Sequence, residues 1–264
     1  MNSILLSLVA ATAAAIALMC VIFWIGRRMN NFGIVDIAWS WGFAFLLTIY
    51  LIMADGDPTR DLLLALPVIA WSGRLGWHLY RRVMGHHPVE DGRYRQLRAE
   101  WGNRVGARMF WFYQLQAIVL VALSLPFLLV ARNPEPRIAF VEWIGAALAM
   151  VALLGESLAD AQLARFKGIP ANHGKTCRAG LWRFSRHPNY FFEWLIWVGF
   201  FLIALGSPGG AVAVYCPMIM LYFLLRQTGI PATEEQALRT KGDDYRRYQK
   251  TTNAFVPWFP KKMP

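Results

Sequence analysis

The chain has 264 residues, of which 56% are hydrophobic and only 16% charged, whereas soluble domains carry roughly 25% charged residues. Twelve Trp and 17 Phe deepen an apolar surplus that a globule of this size has too few charges to cover. A disordered chain, a collagen, a disulfide scaffold and an ordinary cytosolic globule are excluded, which leaves an all-α polytopic membrane protein. The net charge of +11 would suggest nucleic acid in a soluble protein. In a membrane protein it reads as Lys and Arg gathered in loops on the negative, cytoplasmic side.

Residues 4–25 are 22 residues without a charge, enough to cross roughly 30 Å of hydrocarbon at about 1.5 Å per residue. No Lys or Arg precedes them and Arg27-Arg28 follows, so an uncleaved first helix is expected here and not a signal peptide. Further spans are predicted at 33–53, 62–80, 109–131, 138–159, 189–206 and 210–227. Turn sequences at Asp55-Gly56-Asp57-Pro58, Asn133-Pro134-Glu135-Pro136 and Ser207-Pro208-Gly209-Gly210 divide them. Barrel strands would be about half as long and would alternate in polarity. The expectation is one integral membrane domain over 1–264, a bundle of seven transmembrane helices. Its short polar cap would be drawn from 81–108, 160–188 and 229–264.

The segments that follow spans one, three, five and seven hold 2, 7, 6 and 8 Lys and Arg, the last including Arg226 at the span's end; those after spans two, four and six hold one, two and none. This asymmetry places the N-terminus outside and the C-terminus in the cytoplasm. Cys20, Cys177 and Cys216 have no metal-ligand spacing and suggest no disulfide framework, and no metal site is expected.

Ionisable groups inside spans are costly and are functional candidates. Asp36 lies early in span two, with Trp39 and Ser40 one turn on. It reads as a helix-end residue accessible to water, as a structural partner of Arg27, Arg28 or Arg74, or as a carboxyl group in an apolar pocket that donates a proton or a hydrogen bond. Arg74, in a run of small residues and aromatics, either snorkels to the interface or contacts a phosphate from within the bundle. Glu156 and Asp160 are one turn apart at the end of span five, followed by Arg165 and Lys167. Glu193 sits inside span six, one turn after Asn189. Pro188 suits the first turn of that span. The helix start beside Arg183, Arg186 and His187 fits either phosphate binding or a plain basic juxtamembrane loop. The tail, from Glu234-Glu235 through Tyr245 to Phe259, reads as an amphipathic helix, a turn at Gly242 and an aromatic return to the membrane surface.

Gly180-Leu181-Trp182-Arg183-Phe184-Ser185-Arg186-His187-Pro188-Asn189-Tyr190-Phe191-Phe192-Glu193-Trp194, the stretch from Glu234 to Pro260, Asp160 through Lys167 and the run 35–43 together resemble the steroid 5-alpha-reductase-like membrane reductases, a superfamily that includes sterol C=C reductases. The similarity is to their bacterial branch, which implies an inner-membrane location. It also implies a seven-helix bundle that holds NADPH in a cytoplasm-facing cavity, with the cofactor-binding half at about 138–264. By position, Asp160, Lys167, Asn189, Glu193, Glu234 and Tyr245 match cofactor-binding polar residues. Arg183, Arg186 and His187 are phosphate neighbours, with Arg74 a further candidate, because a 2′-phosphate and a pyrophosphate call for several cationic donors. No GxGxxG motif is present to bind a dinucleotide in the Rossmann manner. For catalysis, Asp36 falls where the family has a glutamate, with Val35 in place of its glutamine, and Trp71 or Tyr80 falls near the family tyrosine. Asp36 and Tyr80 are the catalytic candidates.

The expected activity is hydride transfer from NADPH to an activated C=C bond in a lipid-soluble substrate of steroid, isoprenoid or acyl type. Arg-His-Pro followed by Glu-Glu also occurs in isoprenylcysteine and phospholipid methyltransferases, so a methyltransferase using S-adenosylmethionine is an alternative. A non-enzymatic transporter or scaffold, with Asp36, Arg74 and Glu193 along a pathway, is a second. Bilayer lipid and a hydrophobic small molecule are the expected partners, and nucleic acid is not.

Overall fold

The computed structural model describes residues 2–227 and 229–261. Among them no strand occurs. The helices are α1 (Asn2–Arg28), α2 (Ile34–Met53), α3 (Pro58–Gly85), α4 (Gly92–Trp101), α5 (Val105–Ala131), α6 (Phe140–Lys167), α7 (Pro188–Leu205), α8 (Tyr215–Tyr222), α9 (Ile230–Lys241) and α10 (Asp243–Thr251). Among the described residues seven helical stretches are long and apolar enough to cross a membrane, and each predicted span matches one of them, with only residues 33, 138–139 and 206 falling outside.

The differences lie at the ends of the spans. Helix α3 starts before its apolar run because the Asp57 carboxylate accepts from Thr59 N (3.0 Å) and Arg60 N (2.9 Å) and Pro58 fills the first position. Helix α6 stays helical for two turns past residue 159. The polar segment 81–108 holds a helix of its own, α4, capped by Asp91, which accepts from Arg93 N at 3.1 Å. Span seven is broken into a 3-10 turn at 210–214, α8, a π turn at 223–227 and α9; Gly209 (φ +74°) precedes it and Pro217 interrupts its hydrogen bonding.

The chain forms two compact units, residues 1–139 with 204–210, and residues 140–203 with 211–264. In the first, α1, α2, α3 and α5 pack around Phe43, Trp71 and Phe127, all fully buried. Phe43 lies 5.1 Å from Trp71 and 6.3 Å from Phe127, ring centre to ring centre. Lipid is as apolar as this core, so packing and internal hydrogen bonds hold such helices together. Ser72 Oγ donates to the Ser40 carbonyl at 2.6 Å, and Tyr50 and Ser124 share a hydrogen bond of 2.9 Å. Arg60 is 1% exposed. Its guanidinium closes the turn after α5 by donating to the carbonyls of Asn133 (3.3 Å), Glu135 and Arg137 (2.9 Å).

In the second unit α6 and α7 meet backbone to backbone. A Cβ on Gly145 would fall 2.7 Å from the Gly199 carbonyl oxygen, and one on Gly199 would fall 2.7 Å from that of Gly145, the close approach that small residues permit. The loop between the two helices is tied back at several points. Trp182 Nε1 donates to the Ala159 carbonyl (2.9 Å), and Leu181 N donates to Gln162 Oε1 (2.8 Å). Gly180 turns there with φ +58° and no room for a Cβ against Gln162. From α10, Tyr248 OH donates to the carbonyls of Trp182 and of Ser185 (3.0 Å).

Candidate functional site

The second unit carries a polar cluster centred on Glu234, which faces inward from α9. Arg186 Nε donates to its Oε1 at 2.7 Å, His187 Nε2 lies 3.2 Å from the same oxygen, and Tyr245 OH donates to it at 3.3 Å. Gln249 Nε2 donates to Oε2 at 2.7 Å. Arg186 also donates through NH1 to the carbonyls of Gln249 (3.1 Å) and Thr252 (2.6 Å). Arg186, two residues before the α7 proline, is thus fixed to α9, α10 and the segment that follows α10 at once. Ser185 extends the tie, with Oγ donating to the Phe255 carbonyl at 2.8 Å and accepting from His187 N at 3.1 Å.

His187 is buried and stacks on Tyr190, 5.3 Å between centres and 5° from parallel. Burial lowers its pKa below the usual imidazole value, against the pull of Glu234. A neutral ring beside a carboxylate must carry its proton on Nε2, the nitrogen that faces Glu234. Burial, with Glu234 close by, pushes the Tyr245 phenol up, so Tyr245 stays protonated and serves as a donor.

At the second residue of α7, Asn189 Nδ2 donates to Asp160 Oδ1 on α6 at 3.2 Å. The other end of that amide, Oδ1, is buried without a hydrogen-bond partner among the described residues. Glu193 follows one turn later, 9% exposed, and accepts from Trp197 Nε1 at 3.0 Å. Lys167 and Arg183 are exposed. The predicted residues of this unit therefore separate by position. Arg186, His187, Glu234 and Tyr245 form one hydrogen-bonded cluster, Asp160 and Asn189 form a pair, and Lys167 and Arg183 stand in solvent. Sequence reasoning missed Gln249, Trp182 and Tyr248, which hold the cluster in place.

In the first unit Asp36 is half-buried at the start of α2, and its Oδ1 accepts from Tyr94 OH on α4 at 2.7 Å. Tyr94 is fully buried. Tyr80 lies elsewhere: it is 39% exposed and stacked against Trp77 (5.5 Å) and Trp41 (6.5 Å). The phenol bonded to Asp36 is therefore that of Tyr94. Arg74 is half-buried on α3. Tyr94 escapes notice in the sequence because it lies in a polar stretch outside every predicted span. Asp91 ahead of it and Gly102 behind it are the cap signals that frame its helix.

A polytopic membrane protein of helical fold, with buried polar clusters at helix ends, is the class that these features define. The chain belongs to the DUF1295 family, described as a protein of unknown function, whose profile matches residues 22–252. That range contains Asp36, Tyr94 and the whole Glu234 cluster. The chain is also similar to an uncharacterized protein of Schizosaccharomyces pombe, 29% identical over 165 residues, a match that takes in 54% of this chain and 48% of the relative. The match thus spans about half the length of that curated relative. No solved structure matches the chain.

Proposed function

We propose that the protein is an NADPH-dependent reductase of an activated C=C bond in a lipid-soluble substrate, with its N-terminus outside and its polar cap in the cytoplasm. One observation carries the reading. The two segments that resemble steroid 5-alpha-reductase-like enzymes, 180–194 and 234–260, meet in a single buried cluster through Arg186, His187 and Glu234. Distant parts of a motif that converge in space serve a shared task.

The donor set suits a phosphorylated dinucleotide. Lys167 and Arg183 are exposed cations for phosphate oxygens. The buried, unpartnered Oδ1 of Asn189 is an acceptor for an amide or amino N–H. Arg186 and His187, both engaged by Glu234, are positioning residues that fix the start of α7 and with it Asn189 and Glu193. When bound, NADPH supplies a hydride. Asp36 and Tyr94 provide the acid. Reduction of an enone builds negative charge on its carbonyl oxygen, and a protonated Asp36 would be a group able to stabilise such a charge. Tyr94 donates to Oδ1 and keeps that carboxyl oriented. A proton then reaches the α carbon, so one hydride and one proton have been added across the double bond.

A specific contact also supports a second reading. The Arg-His-Pro and Glu-Glu elements shared with membrane methyltransferases touch here, through Arg186, His187 and Glu234, which keeps an S-adenosylmethionine-dependent methyltransferase as the alternative. The test is isotopic. Membranes containing the protein are supplied with NADPH deuterated at the transferable position, and extracted lipids are weighed. The reductase reading expects one lipid to gain carbon-bound deuterium, and far less of it with Asn189→Ala. Methyl label arriving from S-adenosylmethionine, with no deuterium gain, would establish the alternative.

A further inference from the structure

Helix α1 ends on Arg27-Arg28, and the chain reverses at Asn30, a non-glycine residue with φ +52°. The turn is held from two sides: Phe32 N donates to Glu90 Oε1 at 2.6 Å, and Tyr113 OH donates to the Phe32 carbonyl at 2.8 Å. Arg98 of α4 lies over the Phe32 ring, 4.5 Å from its centre. It meets Glu90 through Nε (2.5 Å) and NH2 (3.3 Å). The end of α1, this turn, Arg98 and the opening turn of α5 line an open pocket of about 310 Å³ in the first unit, with Arg27, Asn30 and Asn103 at its exposed rim. Arg27, Asn30, Arg98 and Asn103 face it, Phe32, Val105 and Gly106 complete its wall, and no carboxylate is among these lining residues. Arg27 has no acidic partner among the described residues; its guanidinium sits 5.5 Å above the ring of Trp24, which is 55% exposed.

Two guanidinium forks and two carboxamides surround a space of small-ligand size; Arg98 is matched by Glu90, while Arg27 has no acidic partner among the described residues, so the set carries an excess of positive charge and N–H donors. We propose that this cavity is a binding site for a phosphate group, clasped between Arg27 and Arg98 with Asn30 and Asn103 as further donors. None of these residues belongs to the segments assigned to the dinucleotide, so the inference does not depend on the proposed reductase activity. The phosphate comes either from the headgroup of an acidic phospholipid or from a soluble phosphate.

Gly106 provides the cleanest test, because a Cβ there meets nothing within 4 Å. Gly106→Ala therefore fits, and Gly106→Glu fits while it places a negative charge in the cavity. An acidic residue in the first turn of a helix is also favourable to the helix. Purified full-length protein is offered phosphatidic acid, diacylglycerol of the same chains, and inorganic phosphate. Lipid retention is read by native mass spectrometry, and phosphate binding by thermal stabilisation. Phosphatidic acid is expected to be retained about tenfold over diacylglycerol, with Arg27→Gln losing about fivefold. Gly106→Glu should bring retention down to the diacylglycerol level, and Gly106→Ala should match the parent. Stabilisation by inorganic phosphate that Gly106→Glu abolishes assigns a soluble ligand, and retention of the lipid alone assigns a headgroup. The proposal is overturned if phosphatidic acid and diacylglycerol are retained alike and phosphate has no effect, or if folded Gly106→Glu binds as the parent does.

Discussion

Tyr94 donates from its phenol to Oδ1 of Asp36 across 2.7 Å, joining a short polar helix to the first turn of a membrane span. This phenol is buried, while that of Tyr80 lies in an exposed aromatic stack. Tyr94→Phe keeps the ring and removes the hydrogen bond. With a substrate in hand, it should lower turnover by about 10²-fold or more, the usual scale for losing a group in acid catalysis. Tyr80→Phe should stay within about twofold, because an exposed hydroxyl outside that contact contributes little. Steady-state rates of the two variants decide between the tyrosines.

Glu234 gathers donors from Arg186, His187, Tyr245 and Gln249. The Arg186 and Glu234 side chains are only 11% and 14% exposed, so removing the carboxylate strands a nearly buried cation. Glu234→Ala should cost about 2–4 kcal/mol, somewhat less than a fully buried pair. Glu234→Gln should cost less, because it still accepts hydrogen bonds. Unfolding curves in detergent would measure both.

The same cluster gives stability a pH dependence with a definite sign. Burial holds the pKa of His187 below the usual 6.5, so between the two values the unfolded chain binds more protons than the folded one. Stability is therefore present above about pH 6.5 and falls as pH drops through the window beneath it. His187→Gln keeps a donor toward Glu234 and should flatten melting temperature between pH 5 and 7, on the ordinary imidazole scale of about 6.5. A second loss sets in at lower pH. Burial of Asp244 is outweighed by hydrogen bonds from Thr176 and the charges of Arg178 and Arg247, which hold its carboxyl below the usual 3.8. That contribution disappears as pH falls through the depressed value.

Gly199 tests the packing of α6 on α7. An added Cβ would meet the Gly145 carbonyl oxygen at 2.7 Å and the Ala149 backbone nitrogen at 2.9 Å. Backbone cannot swing aside as a side chain can, so the helices must separate. Gly199→Ala should cost about 1–3 kcal/mol, as overpacking does, despite the better helix propensity of alanine. Gly73→Ala is the control, since its Cβ meets nothing within 4 Å.

The spans were legible because some 20 apolar residues in a row have few other places to go. Their ends were less so. Asp57 and Asp91 start helices through side-chain oxygens, and apolar periodicity does not register such caps. Helix α4 is hidden further by the three arginines and one glutamate within it, although its buried Tyr94 bonds to Asp36. Arg186 and Glu234 are 48 residues apart. Neither carries a local signal of the other, so only the resemblance of both segments to one enzyme superfamily suggested that they belong together. Geometry changed the roles within that set. Arg186 is occupied by Glu234 and two carbonyls, while Lys167 and Arg183 are exposed cations.

The central claim is that the second unit binds a phosphorylated dinucleotide, and nucleotide fluorescence in a titration of purified protein tests it most directly. NADPH emission should rise and shift on binding, and excess S-adenosylmethionine should leave the signal in place. Asn189→Ala and Arg183→Gln should each weaken binding by about tenfold, in line with the loss of one hydrogen bond to a charged or buried partner. An unchanged NADPH signal at saturating protein, together with measurable binding of S-adenosylmethionine, would contradict the account.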